Sequence, residues 1–474
     1  MLYVVFTFFS SYVILILSHF VNRGNILKTL YASAIALALF CCASCSDKVV
    51  PNATVKVETS EALHESFAAV SGSSTSAAKT GRIVTATASA VTHTAETKTT
   101  TKKVSPPSDL VLTGLPQVEV YQEISLDSFI TEKNVELKDP GFLLDTSSAG
   151  EHKVDVAYIS GGNEFTKELT YSVADTTPPL IINEGWDTRH VLGTPFDLND
   201  YIGYGDNYDK TPTMSYTGDI DPNTAGNYPL HVTVADSSGN TSEFDVNIMV
   251  LHEVKDDPDT NPRVSFSDFI RKYDSGSERF GIDVSTWQGD VDFEAVKNAG
   301  CQFVIMRIGV WYNTYGEVRM DDCYRSNIEK AKAAGLDVGV YFYTADNTPE
   351  GIKKHCKWIA DTLGGTKLEY PVAFDWEEWT TFQEFGMSLH DLNELYRLFS
   401  SEMESYGYKT MLYSSRNLLR TVWDEKSKSM NPVWLAHFTD ETDYDGTYDI
   451  WQASCYGNID GIAGDVDMNI EYIR

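Results

Sequence analysis

The hydrophobic period of this chain changes near residue 280, and that change limits the folds open to it. From there on, short apolar runs alternate with segments of helical spacing. Residues 281–285 precede 293–299, 303–310 precede 327–334, 338–343 precede 350–363, and 372–376 precede 390–406. Runs at 411–414, 433–437, 449–454 and 466–470 follow, with one short helical stretch at 418–423. Strands of this length separated by helices are βα units, because consecutive parallel strands need a crossover. About eight such strands predict a closed parallel arrangement over 280–474. The last strands lack intervening helices, so the expected form is an incomplete or flattened TIM-like (β/α) barrel.

Upstream the pattern has period two. A D-x-x-x-A-G turn at Asp145–Gly150 leads into an alternating strand, a Ser160-Gly161-Gly162-Asn163 hairpin and another alternating strand. The same order recurs from Asp221, with Ser237-Ser238-Gly239-Asn240 as the hairpin. Alternation with Gly/Asn turns is the mark of antiparallel strands. The stiff Asp175-Thr176-Thr177-Pro178-Pro179 segment joins the two units. Both look like bacterial immunoglobulin-like domains, which predicts a multidomain chain: two all-β immunoglobulin-like sandwiches at 108–175 and 176–252, an acidic linker at 253–279, then the α/β barrel. No exposed aromatic cluster marks a binding face on the two units, so they read as a rigid spacer in preference to a ligand-binding device.

Residues 46–107 are dominated by Ser, Thr, Ala and Lys and are almost without aromatics. Such a segment cannot bury enough apolar surface to offset the entropy of ordering, and it reads as a flexible tether. Before it, 1–45 holds two apolar runs, with Arg23 and Lys28 between them and Cys41-Cys42-Ala43-Ser44-Cys45 at the end. This ending resembles a bacterial lipoprotein signal with Cys45 as the lipidated residue. A plain signal peptide or a membrane anchor over 1–40 are the alternatives. Each implies export to the outer face of the cell membrane or the cell wall.

With 68 acidic and 37 basic side chains the net charge is −31, which repels nucleic acid; no nucleic-acid partner is expected. Cys301, Cys323, Cys356 and Cys455 lie in the C-terminal part and match no zinc spacing, leaving buried thiols or one or two disulfides.

Chemistry in a βα barrel sits at the C-terminal strand ends. Acids stand at the predicted ends: Asp283, Asp375 with Glu377, and Asp467, with Asp346 less clearly placed. Two acids spaced D-x-E on a strand share a face. Such a pair suits glycosidic cleavage, where one acid protonates the leaving oxygen and the other stabilises positive charge on the sugar. A carboxyl beside another carboxyl, among aromatics such as Trp376 and Trp379, has its pKa raised, as a general acid needs. A D-x-E pair alone is weak evidence, Asp283 alone fits a helix cap, and Asp467 alone fits a surface site. The weight lies in several acids at the strand ends of one repeat.

The motifs in order are G-I-D-V-S-x-W-Q-G-x-x-D-F from Gly281, R-I-G at Arg307, D-x-x-x-x-x-N-x-x-x-A-x-x-A-G-L ending at Leu336, and V-G-V-Y-F-Y from Val338. D-W-E from Asp375, W-L-A at Trp434, W-Q at Trp451 and G-x-V-D-x-N ending at Asn469 complete them. Together they resemble the glycoside hydrolase family 25 lysozymes, or N-acetylmuramidases, across the whole domain. The resemblance implies hydrolysis of the β-1,4 bond between N-acetylmuramic acid and N-acetylglucosamine in peptidoglycan glycan strands. It implies Glu377 as general acid, Asp375 as the group orienting the substrate N-acetyl nucleophile, and Asp283 and Asp467 as the other acids. The chain departs from many members at Phe342, where they have His.

Trp287, Tyr341, Tyr343, Trp379, Trp451 and Arg307 are the candidate substrate-binding residues, with Trp311, Tyr312 and Tyr315 as further aromatics near strand ends. Rings with an apolar face and a polar edge suit sugars, although about half of such residues serve core packing instead. No metal or organic cofactor is implied, and a monomer whose 280–474 part folds and works by itself is expected.

Overall fold

A computed structural model describes residues 117–129, 134–182, 187–255, 259–312 and 316–473. The signal-like segment 1–45 with Cys45, the tether 46–107 and Tyr315 lie outside the described residues.

The first upstream unit contains β1 (Val118–Glu119), β2 (Val135–Leu137), β3 (Gly150–Ser160) and β4 (Asn163–Ala174). They pair in the order β1-β4-β3-β2. The Ser160–Asn163 pair closes the β3–β4 hairpin, as the Gly-Gly turn dictates. Alternate residues of these strands, Val156, Tyr158, Leu169, Tyr171 and Val173, face one apolar core.

The second unit holds β5 (Leu180–Ile182), β6 (Arg189–Val191), β7 (Gly203–Gly205), β8 (Thr213–Thr217), β9 (Gly226–Ala235) and β10 (Thr241–Leu251). One sheet runs β6-β10-β9-β8, and β5 pairs with β7 apart from it. Leu230, Val232, Val246 and Ile248 form its core with Leu198 and Ile202.

The third region begins earlier than its sequence suggests. β11 (Val264–Ser265) pairs with a C-terminal strand, and α1 (Phe266–Tyr273) is capped by the Ser265 hydroxyl. Phe266 and Phe269 of α1 are both 2% exposed and belong to the same core as Phe280. Arg263 donates to Asp465 at 2.8 Å. Much of 253–279, expected as a linker, is therefore structural, because its aromatics close one end of the larger core.

β12 (Glu278–Val284), α2 (Phe293–Asn298), β13 (Phe303–Trp311), β14 (Arg319–Met320), α3 (Tyr324–Ala333), β15 (Asp337–Thr344), α4 (Pro349–Leu363) and β16 (Val372–Asp375) follow. Then come α5 (Leu389–Ser405), β17 (Thr410–Ser415), α6 (Arg416–Thr421), α7 (Glu425–Met430), β18 (Val433–Ala436), β19 (Ile450–Asn458) and β20 (Val466–Tyr472). Local chemistry sets the helix ends. Thr348 caps α4, Pro349 opens it, and Gly364 closes it in a left-handed conformation at φ 55°. Ser388 and Asp391 form a capping box on α5.

Strands β12, β13, β15, β16, β17, β18 and β19 pair in parallel in that order. β20 pairs antiparallel with both β19 and β12, so the mixed sheet closes on itself through its last strand. The expected all-parallel arrangement fails here for a simple reason. The short connection from β19 to β20 cannot carry a parallel crossover.

The described upstream units and the sheet domain lie within one compact unit. A Cβ on Gly203 would lie 1.8 Å from the Trp379 carbonyl oxygen, and one on Gly205 would lie 2.7 Å from the Phe382 ring. The Leu389 N–H donates to the Asp206 carbonyl at 2.7 Å. The second unit thus packs directly on the segment that follows β16.

Candidate active site

Asp283 lies one residue before the end of β12, and Asp375 is the last residue of β16. Asp467 is the second residue of β20 and the direct cross-strand partner of Asp283. It was expected at a C-terminal strand end. Because β20 is antiparallel, the start of that strand reaches the same face as the ends of the others. Glu377 follows β16 by two residues and is exposed.

All four acids line one cavity of about 320 Å³. Trp287, Arg307, Tyr341 and Tyr343 line it as well, joined by Tyr312, Tyr413, Trp434, Phe438 and Gln452. A larger recess of about 510 Å³ contains only two acids, Glu425 and Asp449, and these engage Lys428 and the Val433 N–H.

Neutral amides fix the centre of the cavity. Gln452 Nε2 and Asn469 Nδ2 each donate to Asp283 Oδ2 at 2.8 Å. Tyr413 OH donates to Gln452 Oε1 at 2.9 Å, and Trp434 Nε1 donates to Asn469 Oδ1 at 2.8 Å. This network orients Asp283 without placing a cation on it. Burial pushes Asp283 up to about 6, against the lowering effect of its two amide donors. Burial, then the charge of Asp283, raises Asp467 to about 8. Asp375 is held well above the usual carboxylate range by burial first and by the Glu377 charge second. Its Oδ1 is buried and accepts no hydrogen bond.

Arg307 reaches the cavity beside a bulge in β13, where the pairing with β15 skips Ile308. Its guanidinium binds Asp321 Oδ2 through Nε and Nη2, each at 2.8 Å. Asp321 also accepts the Thr286 and Cys323 N–H groups at 2.9 and 3.0 Å. Trp287 is 82% exposed at the rim. Tyr343 packs at 4.9 Å from Tyr312 and donates to Glu378 Oε1 at 2.9 Å.

Trp379 and Trp451 leave the substrate-binding set. Trp379 is 6% exposed and packs edge-on to Trp376 at 4.7 Å, beneath the second unit. Trp451 is 3% exposed, and its indole donates to the His437 carbonyl. In the W-Q pair alternation turns Gln452 to the cavity and Trp451 to the outer core. Trp311 also lies off the cavity, at 5.3 Å from His355. Phe342 is fully buried against His355 and Trp358, so the departure from the expected His falls outside the cavity. Asp346 serves as a turn, accepting from the Thr348 N–H and hydroxyl at 2.9 and 2.7 Å. Cys301, Cys323, Cys356 and Cys455 are free thiols.

Residues 282–462 match the family described as "Glycosyl hydrolases family 25", and residues 182–250 match "Bacterial surface protein, Ig-like domain". An autolytic lysozyme of Clostridium acetobutylicum is 28% identical over 190 residues, 40% of this chain and 54% of that protein. Lysozyme M1 of Streptomyces globisporus is 27% identical over 201 residues, 40% of this chain and 66% of that protein. The match thus spans about half to two thirds of the length of these curated relatives. The crystal structure of the spore cortex lytic enzyme SleM of Clostridium perfringens aligns with a TM-score of 0.37 at 16% identity, over 42% of this chain and 69% of that one. Residues 282–462 are therefore a domain of glycosyl hydrolase family 25, standing behind a bacterial-surface Ig-like domain at residues 182–250.

Proposed function

We propose that the chain is a peptidoglycan hydrolase, a lysozyme that cleaves the β-1,4 bond between N-acetylmuramic acid and N-acetylglucosamine. The observation that carries this reading is the convergence of Asp283, Asp375, Glu377 and Asp467 on one aromatic-lined cavity inside the family match. Glu377, open to the cavity, donates the proton to the leaving glycosidic oxygen. Asp375, which lines the cavity, accepts the N–H of the substrate acetamido group. That bond turns the acetamido oxygen towards the anomeric carbon, and the Asp375 charge supports the oxazolinium that forms. Water then opens it, with Glu377 taking back a proton. Two inversions give retention of the β configuration. Asp283 and Asp467 complete the polar floor. Trp287, Tyr312, Tyr341, Tyr343 and Arg307 offer rings and donors to the sugars.

In the same reading the closed eight-strand order is a flattened TIM-like barrel, and the upstream units are two Ig-like sandwiches at 108–175 and 176–252 that act as a spacer. The catalytic region runs from within 253–279 to residue 474. A lipid on Cys45 and a tether over 46–107 hold a monomeric enzyme at the outer membrane face or wall. Loss of membrane association in a Cys45→Ala variant would support that anchor.

The deciding experiment is mass spectrometry of fragments released from purified peptidoglycan. New reducing ends on muramic acid are expected, and new reducing ends on N-acetylglucosamine would overturn the bond assignment.

A further inference from the structure

A second group of buried acids lies well outside the cavity. Asp175 follows β4, Asp206 follows β7 and Asp236 follows β9, so three separate segments meet there. One oxygen from each lies within 4.8 Å of the others. The three residues are 5%, 0% and 9% exposed.

Their hydrogen bonds are incomplete. Asp206 Oδ1 accepts the Tyr208 and Asp209 N–H groups at 2.8 and 2.6 Å, but Asp206 Oδ2 is buried without a partner. Asp175 Oδ2 accepts the Ser238 hydroxyl at 2.9 Å, while Asp175 Oδ1 is buried and bare. The amide oxygen of the adjacent Asn207 is a third buried, unpartnered oxygen. Asp236 is held by the Asn240 N–H and side-chain amide at 2.9 and 2.8 Å. The charged groups acting on Asp206 are Asp175 and Asp236, and those acting on Asp175 are Asp236 and Glu119. All of them are acids.

Buried like charges with bare oxygens are costly unless a proton or a cation joins them. The donors are all oxygens, with no thiolate or imidazole, which selects a hard cation over zinc. An irregular set of carboxylates suits calcium, which tolerates variable geometry, better than magnesium.

We propose that Asp175, Asp206 and Asp236 bind a divalent cation of the calcium class. The ion ties the two upstream units together at their contact with the sheet domain. The loop carrying Asp206 is the natural place for such a clamp. The Asp206 carbonyl accepts the Leu389 N–H, the Tyr208 hydroxyl accepts the Ala149 N–H at 3.2 Å, and Asp209 accepts the Ser237 N–H at 2.7 Å. One loop therefore touches all three regions. No local motif announces the site, because its acids stand about thirty residues apart.

The test uses the full chain, stripped with chelator and titrated with calcium chloride. Calorimetry should detect one ion per chain, and melting should shift upward by about 5 °C at roughly 100 times Kd. Magnesium should do less. Asp206→Asn should remove both the heat and the shift, while melting in chelator no lower than the wild type, since a repelling charge is gone. Asp175→Asn repeats the test should the first variant fold poorly. Absence of binding and of a shift in the wild type at about 1–5 mM calcium, within the range of extracellular modules, would overturn the proposal. So would an undiminished response in both variants.

Discussion

Asp283 in the cavity receives two amide donors on one oxygen, whereas Asp206 at the junction leaves one oxygen with none. Both acids are buried, and burial raises both to about 6. What differs is the company. Gln452 and Asn469 are neutral, and Tyr413 and Trp434 hold them in turn, so they fix Asp283 in place and leave its charge available to a substrate. At the junction main-chain N–H groups serve one oxygen of Asp206, the second has no partner, and the charges acting on the residue are those of Asp175 and Asp236. Asp283 is thus held by neutral donors at a cavity, whereas Asp206 is gathered with two other buried acids away from it.

The largest effects expected separate the two groups by turnover. Glu377→Gln preserves shape but removes the transferable proton, and kcat should fall about 10²–10⁴-fold with little loss of sugar binding. Asp375→Asn should fall by a similar order, because the charge that supports the oxazolinium is gone. Asp206→Asn and Asp236→Asn should leave kcat within about twofold, the scatter of distant sites. Release of reducing ends from purified walls measures all four. A junction variant that lost as much turnover as Glu377→Gln would erase the distinction.

Much of this contrast could be read in the chain, and the remainder had physical reasons to stay hidden. Strands β12, β13 and β15 to β18 and the four acids follow from period, motif and position. The direction of β20 did not, since an apolar run has the same pattern whether it pairs parallel or antiparallel. Which member of a Trp-Gln pair faces a cavity depends on register, and one residue of slip exchanges them. The α1 helix was missed because its two buried phenylalanines follow an acidic, proline-bearing stretch that reads as linker. The junction acids were missed because only the tertiary fold brings them together.

Next in size is the effect of cutting the junction away. A chain beginning at Phe280 would start inside β12 and lose Phe266 and Phe269. Removing a buried Phe side chain typically costs about 3–5 kcal/mol, so this truncation should fail to fold cooperatively. A chain beginning at Asp259 keeps β11 and α1. It should fold but melt lower than the full chain, because Trp379, Phe382 and Leu389 lose their cover from β7. Calorimetry on the two truncations tests this. Equal stability of the two truncations would mean that α1 does not support the cavity, and a melt of the longer one equal to the full chain's would mean the same of the second unit.

A smaller effect lies in the pH dependence of stability. Carboxyls whose folded pKa is raised take up protons on folding. Their contribution is complete below the unfolded value near about 4 and is lost as pH rises through the folded value. For Asp467 the folded value is about 8, and for Asp206 about 6. Asp467→Asn should therefore gain on the wild type as pH rises from about 5 to about 9, and Asp206→Asn in chelator should finish its gain about two units earlier. Calcium should cancel only the second gain. Melting differences between wild type and variant, taken across pH, read both directly, and constant differences would break the account.

The smallest expected effect belongs to Glu378, the neighbour of the proposed general acid. Strict alternation along a strand would turn it away from the cavity and make it irrelevant. Yet β16 ends at Asp375, so alternation does not govern residue 378. Glu378 instead accepts the Tyr343 hydroxyl at 2.9 Å and steadies a ring that lines the cavity. Glu378→Gln keeps an acceptor oxygen but loses the charge assistance, a difference of about 1 kcal/mol. KM should rise about threefold to fivefold while kcat stays within about twofold. Tyr343→Phe should give the same pattern, because it removes the other end of the bond and keeps the ring. The two neighbouring carboxylates then divide cleanly, Glu377 acting on the reacting bond and Glu378 on the wall beside it. A collapse of kcat in Glu378→Gln with normal turnover in Glu377→Gln would reverse that division and withdraw Glu377 from its role.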